Sequence, residues 1–378
     1  IELSKIPNAD KSMSPMEIWS NESQERYVLA IHKNNKESFE KICKRERCEY
    51  AIVGYTTEEK TVKLFDEKNN NFPVDVPLSM LFGDLPITEM QVAEKNYSDL
   101  LTKVPWAKRI HGVEGSDAAH KACAELSETQ RFITVDGDNI VKPQFINQQV
   151  EFVSGTDLTR KVISWAGYNN INGLLYGNGG IKCWDKHAVL DMKTHENADH
   201  NNLKAQVDFC WDLDYVQLND CMSLVENNYT PHQAWRAGFR EGVKMCLIEG
   251  EKPSIKDMQE IHWKNLNRLY VWCMVGKDVN NGIWAIYGAR EGFFKTMCTD
   301  WDYINVRDFQ YLNSLWKEKE VLAVEDIEDC VIELGTKLKA ELGVPIDTFP
   351  FNNGQSKFFK QMYTSPTRPT HSCIADTK

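Results

Sequence analysis

Apolar and polar positions change their period along the chain. Tyr27-Val-Leu-Ala-Ile31 and Tyr50-Ala-Ile-Val-Gly54 are apolar runs, and Thr61-Val-Lys-Leu-Phe65 alternates inward and outward; all three predict strands. Between the first two, Glu37 to Arg47 places Phe39, Ile42 and Cys43 at helical spacing. The predicted order is therefore β-α-β-β, a small α+β sheet covered on one face. From about Asp84 the texture changes. A short helix begins at Asn96 to Leu101, an alanine-rich helix follows at Ser116 to Leu126, and Arg131-Phe-Ile-Thr-Val135 predicts a buried strand ending at Asp136-Gly-Asp138. Farther on the pattern is mostly helical. Thr230-Pro-His-Gln233 predicts a helix start, with a threonine cap, proline in the first turn and Gln233 spaced for a capping box. Trp235, Phe239, Val243, Cys246 and Leu247 then mark one apolar face, which makes the two aromatics core residues. The turn Val279-Asn-Asn-Gly282 precedes another helix over Ile283 to Met297, and the tail after Phe351 predicts loose order.

Composition narrows the function classes. The chain has 378 residues, 42% apolar and 11% aromatic, enough for two or three globular domains. No window approaches the roughly eighteen uncharged apolar residues of a membrane span, and the N-terminus lacks the layout of a signal peptide. A net charge of −11 argues against strong non-specific binding to nucleic acid. The eleven cysteines, an odd number without a CxxC pair, predict reduced and mostly buried thiols, as around Cys210, Cys246 and Cys273, in a cytoplasmic protein.

Two stretches carry resemblances. Ser14-Pro-Met-Glu-Ile-Trp-Ser-Asn-Glu-Ser-Gln-Glu-Arg-Tyr27, then Lys44-Arg-Glu-Arg-Cys48, Thr57-Glu-Glu59 and Pro73-Val-Asp-Val-Pro-Leu78 resemble the phosphoribosylformylglycinamidine synthase family of purine biosynthesis. The resemblance covers residues 1–90 and implies the last part of an aminoimidazole-synthetase-like domain. That family's glycine-rich ATP segment, magnesium ligands and glutaminase cysteine have no counterpart in these residues. A phosphoryl-transfer enzyme needs groups that cradle phosphate and hold a metal ion. The implied ligase activity therefore requires another subunit.

The second resemblance begins with the Ser116–Leu126 helix, the strand, and the Asp136-Gly-Asp138 motif at its end. Two carboxylates at i and i+2 of a strand end can share one divalent cation that bridges the diphosphate of a sugar nucleotide. The alternative is an ordinary strand-ending turn. With the glycine-rich Asn169-to-Lys182 stretch and Thr230 to Lys244, the region of about 95–300 is similar to GT-A-like (DxD) glycosyltransferases of the bacteriophage type. The resemblance implies Mn²⁺ or Mg²⁺ as cofactor, with Asp136, Asp138 and His195 as candidate metal ligands and His187 and His200 as further histidines. Gly137, Asn178 and Gly179 would let backbone approach the donor, or else form tight turns. Arg236, Arg240 and Lys244 form one helical stripe, facing either a diphosphate or solvent, and Asp212 or Asp214 is the candidate base for an acceptor hydroxyl.

The expected fold class is thus α/β. An α+β fragment (1–90) precedes a GT-A-like nucleotide-sugar domain (91–225), a helical C-terminal extension (226–350) and a loose tail (351–378). The expected function is metal-dependent transfer of a sugar from a nucleotide-sugar donor to a glycan or a modified nucleobase. The alternatives are the synthetase role through residues 1–90 and a non-catalytic remnant of the GT-A-like fold. In such transferases a first strand seats the nucleotide base. Here its place is taken by Leu78 to Ile87: either residues 1 to about 77 are a passenger with few contacts to the rest, or Leu78 to Ile87 pairs beside Arg131 to Val135, and partial docking is the expectation.

Overall fold

The computed structural model of this chain describes all residues except 21–25, 58, 60, 79–86, 153–154, 177–179, 198–208, 321, 323, 364–375 and 378. The expected pairing of Leu78 to Ile87 lies largely outside the described residues. Two compact units are formed, Ile1–Ile87 and Thr88–Lys378.

In the first unit, strands β1 (Thr61–Asp66) and β2 (Asn71–Pro77) make an antiparallel pair with Thr61 opposite Pro77. The expected helix spans Lys36–Glu46 and is closed by Arg47 in the left-handed region, φ 55°. The other two expected strands are absent. Residues 27–31 and 50–54 carry no ladder, and Tyr27, Val28, Leu29 and Ile31 are exposed. An apolar run becomes a strand only where a neighbour takes its N–H and C=O groups. Here one such bond reaches the second run, from Glu2 N to Val53 O at 2.7 Å.

The second unit is built on a mixed seven-stranded sheet in the order β3-β7-β5-β8-β4, with β6 on β5 and β9 on β8. Its strands are β3 (Arg131–Val135), β4 (Asn139–Val141), β5 (Lys161–Asn169), β6 (Leu175–Tyr176), β7 (Ile181–Asp185), β8 (Asp214–Val225) and β9 (Asp376–Thr377). β5 and β8 run parallel, from Lys161 opposite Asp214 to Asn169 opposite Val225; the other pairs are antiparallel. Successive residues of β5 enter different clusters, Val162 with Trp184 and Val189, Ile163 with Ile181 and Val216. The sheet's centre is therefore buried on both faces. β3 matches its predicted span but not its predicted burial, because Ile133 is half exposed.

The largest core joins Ile171, Leu174 and Tyr176 to the C-terminal helices. Helices Pro231–Lys244 and Gly282–Cys298 meet through glycine on both sides. A Cβ on Gly238 would lie 1.9 Å from Ala285 O, and one on Gly288 2.1 Å from Trp235 O. Gln233 reaches Tyr229 N at 3.0 Å rather than closing the expected box on Thr230, whose hydroxyl still caps Gln233 N. Arg290 is fully buried and donates to the carbonyls of Cys273, Val331, Asp347 and Thr348 at 2.7–2.9 Å. Within the tail expected to be loose, the described residues include the helix Asn353–Met362, started by a reciprocal capping box between Asn352 and Gln355. Sequence composition missed this box because its residues are also turn formers.

Candidate functional site

The strand β3 delivers Asp136-Gly-Asp138 into a turn that leads straight into β4, and a set of hydrogen bonds fixes it, among them Asn139 N to Asp136 O at 3.0 Å and Asn96 Nδ2 to Gly137 O at 2.9 Å. Asp136 N donates to Gly180 O at 3.1 Å, and Gly180 N donates to Asn139 Oδ1 at 3.2 Å. Asn139, itself buried, donates from Nδ2 to Asp138 Oδ1 at 2.7 Å, and Glu226 N donates to Asp138 O at 2.8 Å. A Cβ on Gly180 would lie 2.5 Å from Asp136 Cβ, whereas one on Gly137 would meet only Ala93 at 3.8 Å. Close approach thus demands glycine at 180, and at 137 it does not.

The turn's charges are held in a partly dry setting. Asp136 is exposed and Asp138 half-buried. Loss of water, and then the charge of Asp136, push the Asp138 carboxyl up to about 6; the Asn139 hydrogen bond and Lys182 oppose the rise. His120 sits between the rings of Trp184 (5.1 Å) and Phe209 (4.6 Å), with Nδ1 2.8 Å from Ser116 O. Burial lowers its pKa and Asp136 partly offsets that. Arg240 also interacts with Asp138 and Asp136, and burial lowers its pKa. Arg236 and Arg240 are half-buried under Phe309, at 5.5 and 4.8 Å, so neither belongs to a fully solvated face.

The other candidates are placed as follows. His195 is buried and held neutral, its pKa brought down to about 4 by burial and then by Lys244, Arg240 and Arg307. His187 is exposed on the Lys186–Asp191 helix. Asp212 pairs with Arg160 at 2.6 Å, and Asp214 starts β8 3.7 Å from Lys161. Asp138 is fixed instead at the far end of β8, beyond Val225. A strand of that length separates its ends by on the order of 30 Å, so Asp212 and Asp214 are not brought to the turn. Asn178, Gly179 and His200 lie outside the described residues. Among the described residues no group of three or more His, Cys, Asp or Glu is arranged to hold a metal ion.

Gly180, Asn139, Lys182, His120 and Glu226 had no role in the sequence reading of this turn. Only Asn139 adjoins the motif in sequence, and no local pattern connects it or the others to Asp136 and Asp138. No helix among the described residues is long and apolar enough to cross a membrane.

Comparison with known proteins bears on the first unit. Residues 1–67 match the family "AIR synthase related protein, C-terminal domain". The phosphoribosylformylglycinamidine synthase of Schizosaccharomyces pombe is 49% identical to this chain over 85 residues, 22% of the chain. The matched stretch spans 6% of that synthase. No solved structure matches the chain.

Proposed function

We propose that residues 88–378 form a GT-A-like transferase unit, which takes a sugar from a nucleotide-sugar donor at the Asp136–Asp138 turn. The observation that carries this reading is the pair of acidic side chains held at a strand end, with Lys182 and Arg240 acting on them. Asp136 and Asp138, two carboxylates that repel each other in a partly dry setting, would hold a Mg²⁺ or Mn²⁺ ion, which would supply positive charge for a diphosphate. When bound, such an ion neutralises charge on the departing nucleoside diphosphate. His195 fits less well, because the cations that keep it neutral also oppose a dication at its ring.

The chain's own residues then have separable tasks. Asn139 and Gly180 hold the turn, and Lys182 and Arg240 add positive charge for the diphosphate. We assign the proton-accepting role to Glu226 instead of Asp212 or Asp214, since its backbone is tied to Asp138 and its carboxylate accepts from the Tyr229 hydroxyl. The acceptor is a glycan or a modified nucleobase. Calorimetric titration with a nucleoside diphosphate plus Mn²⁺ tests the site. Asp138→Ala is expected to lose binding, and equal affinity for variant and parent removes the reading.

A second reading rests on the match of residues 1–67: that this unit contributes to ATP-dependent amidoligase chemistry of purine biosynthesis. Residues 1–90 hold no glycine-rich phosphate loop, so the reading requires a partner chain that supplies one. ATP turnover by the protein mixed with such a subunit, unchanged from the subunit alone, rejects it.

A further inference from the structure

A lysine and a cysteine that the transfer chemistry does not use are brought together at the edge of the sheet. Lys142 follows β4 directly and its backbone N donates to Met222 O at 2.8 Å. Its Nζ lies 3.1 Å from Cys221 Sγ, and that sulfur lies 3.6 Å from Ser223 O, to which the thiol can donate. The contact depends on an irregularity in β8. Trp165 faces Leu218 but Ala166 faces Cys221 and Gly167 faces Ser223, so β8 bulges on both sides of the cysteine. Bulges of this kind re-aim a side chain, and here the thiol is turned toward the lysine.

We propose that Lys142 and Cys221 form a peroxide-responsive modification site, in which the thiol is oxidised and then captured by the lysine amine as a sulfenamide. The lysine nitrogen already lies 3.1 Å from the sulfur, so an oxidised sulfur forms within reach of the amine; the reactive form of the thiol is the thiolate. The thiolate sulfur attacks one oxygen of a hydroperoxide, the O–O bond breaks, and the leaving hydroxide takes a proton and departs as water. This leaves sulfenic acid on Cys221. Lys142, having given its extra proton to solvent, attacks that sulfur. The S–O bond breaks as the S–N bond forms, and a second water carries away the oxygen and one proton from nitrogen. The net change is two hydrogens lost from the protein and one hydrogen peroxide reduced to two waters.

Five of the other cysteines compete poorly for the oxidant. Both members of the pair are half-buried, within reach of a small oxidant. Burial pushes up the thiols of Cys123, Cys246, Cys273, Cys298 and Cys330, those of Cys273 and Cys298 to about 12. Those groups stay protonated and unreactive at neutral pH.

Peptide mapping of the full chain after treatment with hydrogen peroxide tests the proposal. The expected product links the segments holding Lys142 and Cys221, is two hydrogens lighter than their sum, and reverts with dithiothreitol. In Lys142→Met the link is expected to vanish, and Cys221 should instead be trapped by dimedone as sulfenic acid. Lys142→Arg keeps the charge and a donor to sulfur but is a poor nucleophile. It should preserve the fold and still lose the link, which separates chemistry from misfolding. Oxidation of Cys221 in the parent without linkage, or a link that persists in Lys142→Arg, overturns the proposal.

Discussion

His232 shows how one side chain ties stability to pH. Its ring stacks on Trp316 at 5.1 Å and on Trp235 at 6.3 Å, and burial, followed by the charge of Arg236, lowers its pKa to about 4. The unfolded chain takes up this proton near pH 6.5 and the native one only near 4. Between those values the unfolded state binds more protons, so full stability above about pH 6.5 is lost as pH falls toward 4. With allowance for solvent at the ring's exposed edge, the loss is on the order of 2 kcal/mol. His195 titrates with the same sign, so His232→Phe should reduce the acid-side slope without abolishing it. Chemical denaturation at pH 7.5 and 4.5 checks this; an unchanged slope would falsify the assignment. At this scale the sequence was legible where packing is periodic. Trp235 and Phe239 were expected in the core and are fully buried. The Arg236–Arg240 stripe was not legible, because its cover, Phe309, belongs to a helix far along the chain.

The helix pair is the element on which the second unit's packing depends. Four glycines, 238 and 242 on one helix and 288 and 292 on the other, let the backbones approach until each would-be Cβ falls within 2.3 Å of a carbonyl oxygen on the opposite helix. Neither backbone can yield without moving Trp235, Phe239 and Phe293, all at 0% exposure. Gly288→Ala should therefore cost about 3 kcal/mol or more, the upper part of the overpacking range, even though alanine favours helix. Urea denaturation measures it, and a loss below ~1 kcal/mol would show that the helices can separate cheaply. The first helix was predicted from its cap and periodicity and the second from the turn before it, but the glycine contact was not, since it requires knowing which faces meet. The strands expected at 27–31 and 50–54 failed for a related reason. Apolar runs announce a wish for burial and say nothing about whether a pairing partner exists.

The two units differ sharply in what they bury. Among the described residues of Ile1–Ile87, the fully buried apolar side chains are Leu3, Cys43 and Leu64. With so few apolar side chains removed from water, this unit has little to set against the entropy of ordering its own chain. Residues 1–87 expressed alone should show no cooperative thermal transition, and a sharp calorimetric peak would contradict this. The kinship of this unit was readable because a long polar run such as Ser14 to Tyr27 rarely recurs by chance. The place of the Asp136–Asp138 turn beside Glu226 and Gly180 was not, because it is created by strand order in a mixed sheet.

The buried guanidinium of Arg290 has a consequence for how the protein is made. Its four carbonyl partners come from the Trp263–Met274 helix, the Val324–Leu342 helix and the Asp347–Thr348 segment. Until the last of these exists, a positive charge inside the core has lost its water while lacking two of its four acceptors, Asp347 O and Thr348 O, at a cost of several kcal/mol. A nascent chain halted before Asp347 therefore holds finished helices that cannot close around one another. Synthesis runs from the N-terminus, but the helical core is completed only when that late segment emerges.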